Sequence, residues 1–128
     1  MIKIEDFKGR TISAIEVRRS EEDDHEIVIA FADGEVYKMC HLQECCESVE
    51  VEDICGDLED LIGEPLIEAE EAQSEDQTPD GLTEPFREDT FKWTFYKLGT
   101  KKGGVTIRWF GSSNGYYSED VDIIKVKD

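Results

Sequence analysis

The sequence predicts a mainly antiparallel β fold, α+β at most, folded as a single small domain with one short helix and a long acidic loop. Three observations predict it. Apolar and polar residues alternate at period two in segment after segment, the signature of half-buried strands. Asp33-Gly34 and Asn114-Gly115 mark tight turns of the kind that join antiparallel strands. Two aromatic-rich segments, 90–100 and 105–111, flank the turn "KKGG", the pattern of a hairpin with a packed face. A length of 128 residues suits one domain, 1–128.

The elements follow in order. Residues 11–17, "TISAIEV", read as a strand with Ile12, Ala14 and Val17 alternating, broken only by Ile15. "EEDD" at 21–24 reads as a polar turn. Residues 25–42 read as two strands joined at Asp33-Gly34, with Ile27, Ile29 and Phe31 sharing one face. "ESVEVEDI" alternates strictly, setting Val49, Val51 and Asp53 against Glu50, Glu52 and Ile54, and predicts a fourth strand with an acidic exposed face. Asp57 is placed to cap a short helix, "LEDLIG", that Gly63 ends. "PLIEAEEA" from Pro65 reads as a strand. Residues 73–89, with two Pro, one Gly and few apolar side chains, predict a flexible acidic loop. Phe91, Trp93 and Phe95 then oppose Lys92, Thr94 and Tyr96. On the return strand Val105, Ile107 and Trp109 oppose Thr106, Arg108 and Phe110. "VDIIKV" closes a set of seven or eight strands.

Charge is the strongest compositional signal. The chain carries 32 acids against 14 bases, a net charge of −18. Residues 44–90 hold eighteen of those acids and one base, Arg87; the remainder is close to balanced. Such a block repels nucleic acid, whose phosphates need Lys and Arg. It attracts basic protein surfaces, including those that normally hold nucleic acid. Glu50, Glu52, Asp53, Glu59 and Asp60 are the candidate partner-binding residues. The lysines and Arg108 interleaved with aromatics at 91–110 are expected to serve the core and to pair with the acidic block, not to bind nucleic acid directly. No apolar run approaches the ~20 residues that span a bilayer, and "MIKIEDFKGR" lacks the apolar core of a signal peptide. The expected compartment is the cytoplasm, where thiols stay reduced and disulfides are the weaker reading of cysteines.

All four cysteines and one of two histidines fall within residues 40–55. Zinc takes four S or N ligands in a tetrahedron, commonly from short-spaced pairs. His41, Cys45, Cys46 and Cys55 are the candidate ligands of a structural zinc, with Cys40 in reserve, because a hairpin between 35–42 and 47–54 would set Cys45 and Cys46 in its turn. The competing reading is that the cysteines are small buried hydrophobes. Redox chemistry has less support: there is no Cys-x-x-Cys, and Glu44 and Glu47 beside the pair disfavour the thiolate. No nucleophile elbow, phosphate-cradling glycine loop or HExxH is present, so a non-enzymatic role is expected.

The motifs His41-Leu-Gln-Glu-Cys-Cys-Glu-Ser-Val, "EDICGDL", "WTFYKL", "VTIRW" and "SNGYYS" together resemble a family of small proteins from phages and mobile elements of Gram-positive bacteria. The likeness covers about two-thirds of the chain and includes His41, Cys45, Cys46, Glu47 and the strand 105–109; Cys40 and Cys55 lie outside it. It transfers no activity. It implies a phage or prophage context and the cytoplasm of a bacterial host, where small acidic proteins of this kind, some of them metal-stabilised anti-CRISPR proteins, inhibit host defence. The expectation is a phage-encoded inhibitor of a host defence nuclease, most concretely an anti-CRISPR that blocks target DNA loading on an RNA-guided DNA nuclease, whose heteroduplex lies in a positively charged channel. The alternative is a sponge or sensor for a small nucleotide signal at an aromatic face with Arg108, Asn114 and Tyr116.

Overall fold

In the computed structural model the chain forms eight antiparallel strands in two four-stranded sheets. The structure describes residues 1–19, 25–85, 87 and 89–127; the turn expected at 21–24 lies outside them. Strands β1 (Ile12–Arg19), β2 (His25–Phe31), β3 (Val36–Cys40) and β8 (Asp122–Lys127) make the first sheet in the order β1-β2-β3-β8. Strands β4 (Ser48–Cys55), β5 (Glu68–Glu75), β6 (Thr90–Thr100) and β7 (Gly103–Ser113) make the second in the order β4-β7-β6-β5. The mainly antiparallel β class is therefore what the chain adopts.

One core lies between the sheets. Ile27, Ile29, Phe31 and Met39 enter from the first, and Val49, Val51, Tyr96, Leu98, Ile107 and Trp109 from the second. Period-two burial on β2 matches the sequence pattern. Strand β1 departs from it. A register shift between Ile12 and Ala14 turns Ile12, Ile15 and Val17 toward the core, opposite Phe31, Ile29 and Ile27. Ile15, the apparent break in alternation, is therefore an inward residue displaced by a bulge.

Strand β4 holds a second shift. Its register jumps between Val51 and Asp53, so Ile54 joins Val49 and Val51 on the inner side, opposite Ile107. The expected strict alternation fails at this bulge, and Glu52 and Asp53 become consecutive acids on the approach to Arg108.

The expected helix is a 3-10 turn, Leu58–Leu61, whose Asp57 side chain accepts the Glu59 amide. A second 3-10 turn, Ile4–Phe7, buries Ile4 and Phe7. Strand β5 starts later than expected and runs to Glu75, so the connection to β6 is 76–89. Leu82 in that connection packs against Phe91, Trp93 and Phe110, and Thr78 accepts the Trp93 indole N–H at 3.2 Å. The aromatics of β6 and β7 thus serve two faces: Tyr96 and Trp109 fill the inter-sheet core, while Trp93 and Phe110 form a separate cluster on the outer face.

Strands β3 and β4, expected to pair as a hairpin, lie in different sheets. Residues 41–47 are a crossover. The chain crosses back to the first sheet between β7 and β8, through 114–121.

Candidate functional site: the His41 clasp and the acidic face

The two crossovers meet at His41. Its Nδ1 donates to the Asp120 carbonyl at 2.7 Å and its Nε2 lies 2.8 Å from Glu47 Oε2. A carbonyl only accepts, so Nδ1 carries its hydrogen toward Asp120, while Nε2 is paired with the Glu47 carboxylate. Both side chains are almost fully enclosed. Glu47 also accepts the amides of Glu44 and Cys45, at 2.9 and 2.8 Å. Burial alone would raise its pKa; the His41 bond, followed by those amides, outweighs burial and holds the carboxyl at about 2. Leu42 N–H donates to Asp122 at 3.3 Å, tying the first crossover to the start of β8 as well.

This geometry separates the expected zinc ligands. Both His41 nitrogens are committed to Glu47 and Asp120. Cys45 and Cys46 are adjacent on the crossover, sulfur against sulfur. Cys55 ends β4, roughly 23 Å of strand beyond Ser48. The reserve ligand, Cys40, is buried, which pushes its thiol pKa up. Among the described residues no group of three or more His, Cys, Asp or Glu side chains is arranged to hold a metal ion. The residues do not fit a tetrahedral zinc site, because the turn expected to gather them belongs to a crossover and not to a hairpin. The second histidine, His25, accepts the Val51 amide at Nδ1 (2.9 Å) and so ties β2 to β4.

The candidate partner-binding acids divide into two groups. Glu52 and Asp53 are engaged within the chain: Arg108 donates to both and lies over the Trp93 ring, 5.8 Å from its centroid. Glu50 accepts the Ser48 hydroxyl. Glu59 and Asp60 sit on the 3-10 turn, which the β6–β7 hairpin tip grips. Lys102 Nζ donates to the carbonyls of Glu59 and Ile62, and the Thr100 hydroxyl donates to the Asp60 carbonyl. Of the two lysines of the tip, Lys102 thus binds backbone and Lys101 pairs with Glu64 at 3.4 Å; no Lys or Arg among the described residues pairs with the carboxylates of Glu59 or Asp60.

Strand β5 extends this surface and was not singled out by the sequence reading. It is an edge strand that exposes Glu68, Glu70, Glu71 and Glu75. At roughly 3.4 Å per residue this is about one carboxylate per 6 Å, near half the charge density of a single DNA strand. Glu75 pairs with Lys92 at 3.4 Å; among the described residues Glu68 and Glu70 pair with no cation. The signal was present in "EAEEAQSE", but its edge position depends on sheet order.

The residues of the alternative ligand site are not brought together. Arg108 is spent on Glu52 and Asp53. Asn114 lies six residues along β7 and its turn, roughly 20 Å away, and its side chain accepts the Tyr116 amide at 3.1 Å. Tyr116 projects into solvent.

Among the described residues no helix is long and apolar enough to cross a membrane. No curated protein and no solved structure matches the chain. Residues 5–123 match the family described as a domain of unknown function, DUF7448, and the chain belongs to that family.

Proposed function

We propose that the protein is a non-enzymatic binding protein whose acidic face occupies a basic, nucleic-acid-holding surface of a partner. The most concrete form is a phage-encoded anti-CRISPR acting in the cytoplasm of a bacterial host, which blocks target DNA loading on an RNA-guided DNA nuclease. One observation carries the reading. Among the described residues the carboxylates of Glu59, Asp60, Glu68 and Glu70 have no cation partner, although the chain holds 14 basic residues. Carboxylates left unpaired on a sheet edge and on a clamped turn are available to lysines and arginines of another molecule.

Glu52 and Asp53 neutralise Arg108, so the binding surface centres on Glu59, Asp60, Glu68 and Glu70, with Glu50 at its margin. The test is loading of a labelled target duplex onto a purified, cleavage-inactive RNA-guided nuclease. The wild-type chain is expected to block loading, and the fourfold variant Glu59→Gln, Asp60→Asn, Glu68→Gln, Glu70→Gln to need about tenfold more protein, on the basis of roughly 0.3–0.5 kcal/mol per exposed charge. Unimpeded loading by the wild type, or equal potency of the variant, defeats the reading.

A further inference from the structure

The sandwich has two open sides, and they differ. Strands β8 and β5 are the edges on one side. There the 3-10 turn Ile4–Phe7 lies against β5 and reaches across to the first sheet, where the Phe7 ring centroid is 4.8 Å from that of Phe31 and 5.0 Å from that of Tyr37. Ile4 and Phe7 are almost fully buried, so two apolar side chains plug that side.

Strands β1 and β4 are the edges on the other side. Among the described residues nothing plugs it, and a groove of about 790 Å³ lies open there between Val17 of β1, Ile54 of β4 and Leu58 of the second 3-10 turn. These three side chains pack on the inter-sheet core and keep part of their apolar surface in water. Gly56, Asp57 and Glu59 complete the lining. Gly56 adds no side chain. Asp57 and Glu59 are exposed and pair with no Lys or Arg among the described residues. The groove is thus an apolar floor with an acidic rim, and no basic residue lines it. Through Glu59 it is continuous with the acidic face.

The mode of binding is narrowed by β4 itself. Its Val51 amide donates to His25 Nδ1 and its Ile54 amide to the Asp53 carboxylate, each at 2.9 Å. These amides are taken, so an occupant binds through its side chains and not as an added strand.

We propose that this groove anchors the partner: it seats one large apolar side chain of a basic segment, whose flanking Lys or Arg residues reach Asp57 and Glu59. The inference rests on the binding reading above and names what the partner has to present. Phe7 is the chain's own example of such an insertion on the opposite side. The apolar side chain fixes position, and the acidic rim selects a cationic segment over an acidic one.

Amide proton–nitrogen spectra of the full chain, titrated with capped peptides, test the anchor. The probe is Lys-Lys-Phe-Lys-Lys; the controls are Lys-Lys-Ala-Lys-Lys and Gly-Gly-Phe-Gly-Gly. The probe should shift the amides of Val17, Ile54, Gly56, Leu58 and Glu59 saturably. Exchanging its Phe for Ala should weaken binding about tenfold or more, the effect of losing one buried apolar side chain. Exchanging its lysines for Gly should weaken it several-fold at low salt. Val17→Gln with Leu58→Gln should erase the preference for Phe over Ala; where that variant does not fold, the wild-type titration decides. Equal binding of the Phe and Ala peptides, equal binding of the neutral peptide, shifts spread along β5, or no shift overturns the proposal. The same amides shifting with protein concentration alone would assign the groove to a second copy, which overturns it too. Duplex loading is read separately. Loading blocked without peptide binding removes the groove and keeps the nuclease reading; peptide binding with unimpeded loading does the reverse.

Discussion

Glu47 is the residue on which the crossover depends. A carboxylate buried with a histidine ring and two amides loses far more on neutralisation than an exposed one, because its partners remain dehydrated. Glu47→Gln is expected to destabilise the fold by about 2–3 kcal/mol, read by chemical denaturation at pH 7. The pH dependence has a definite sign. The folded carboxyl titrates at about 2 against an ordinary value of 4.5, so its stabilisation is complete above pH 4.5 and disappears as pH falls toward 2. The wild-type melting curve should therefore drop through that window, and the Glu47→Gln curve should approach it from below. The free thiols give a second residue-scale outcome. Cys55 is exposed and Cys40 buried. Burial first, then Asp53 at 3.5 Å, raises the Cys55 pKa. On native protein the Cys55 thiol should react with a thiol reagent more slowly than an ordinary thiol, and Asp53→Asn should quicken it.

At the scale of elements, β4 shows what decides the fold locally. Its strand character was legible from alternation alone, as were β2, β6 and β7. Its bulge was not, because a register shift depends on the partner strand, and β7 lies more than fifty residues away in sequence. The same limit explains the zinc expectation. Local spacing around His41 is compatible with a hairpin, but β3 finds β8 and β4 finds β7, so the intervening residues cross between sheets. The acids were legible as a block, whereas their division into paired and unpaired groups rests on Arg108 and on the hairpin tip. Gly56 marks the exit from β4. Its φ is +116°, and a Cβ there would lie 2.5 Å from the Gly104 carbonyl oxygen. Gly56→Ala is expected to cost about 2 kcal/mol or more and to lower the melting temperature, since backbone and not a flexible side chain would have to move.

For the whole molecule, charge and fold are separable. The core draws on both sheets and uses no residue of the acidic face, so the fourfold variant Glu59→Gln, Asp60→Asn, Glu68→Gln, Glu70→Gln should keep the wild-type melting temperature to within a few degrees. The proposed block of duplex loading should weaken steeply as salt rises from 50 to 300 mM, and that slope should flatten in the variant. The acidic margin of β5 has a consequence of another kind. An open sheet edge is a template for pairing with a neighbouring chain, and rows of like charge are one way such edges are kept apart. This edge depends on ionised carboxylates for its isolation. Near the isoelectric point of about 4.3 the chain's net charge vanishes while β5 is still an edge strand. Mild acid should therefore drive strand-to-strand self-association, visible as turbidity or dye-binding fibrils near pH 4 and reversed on return to neutral pH before the aggregates mature.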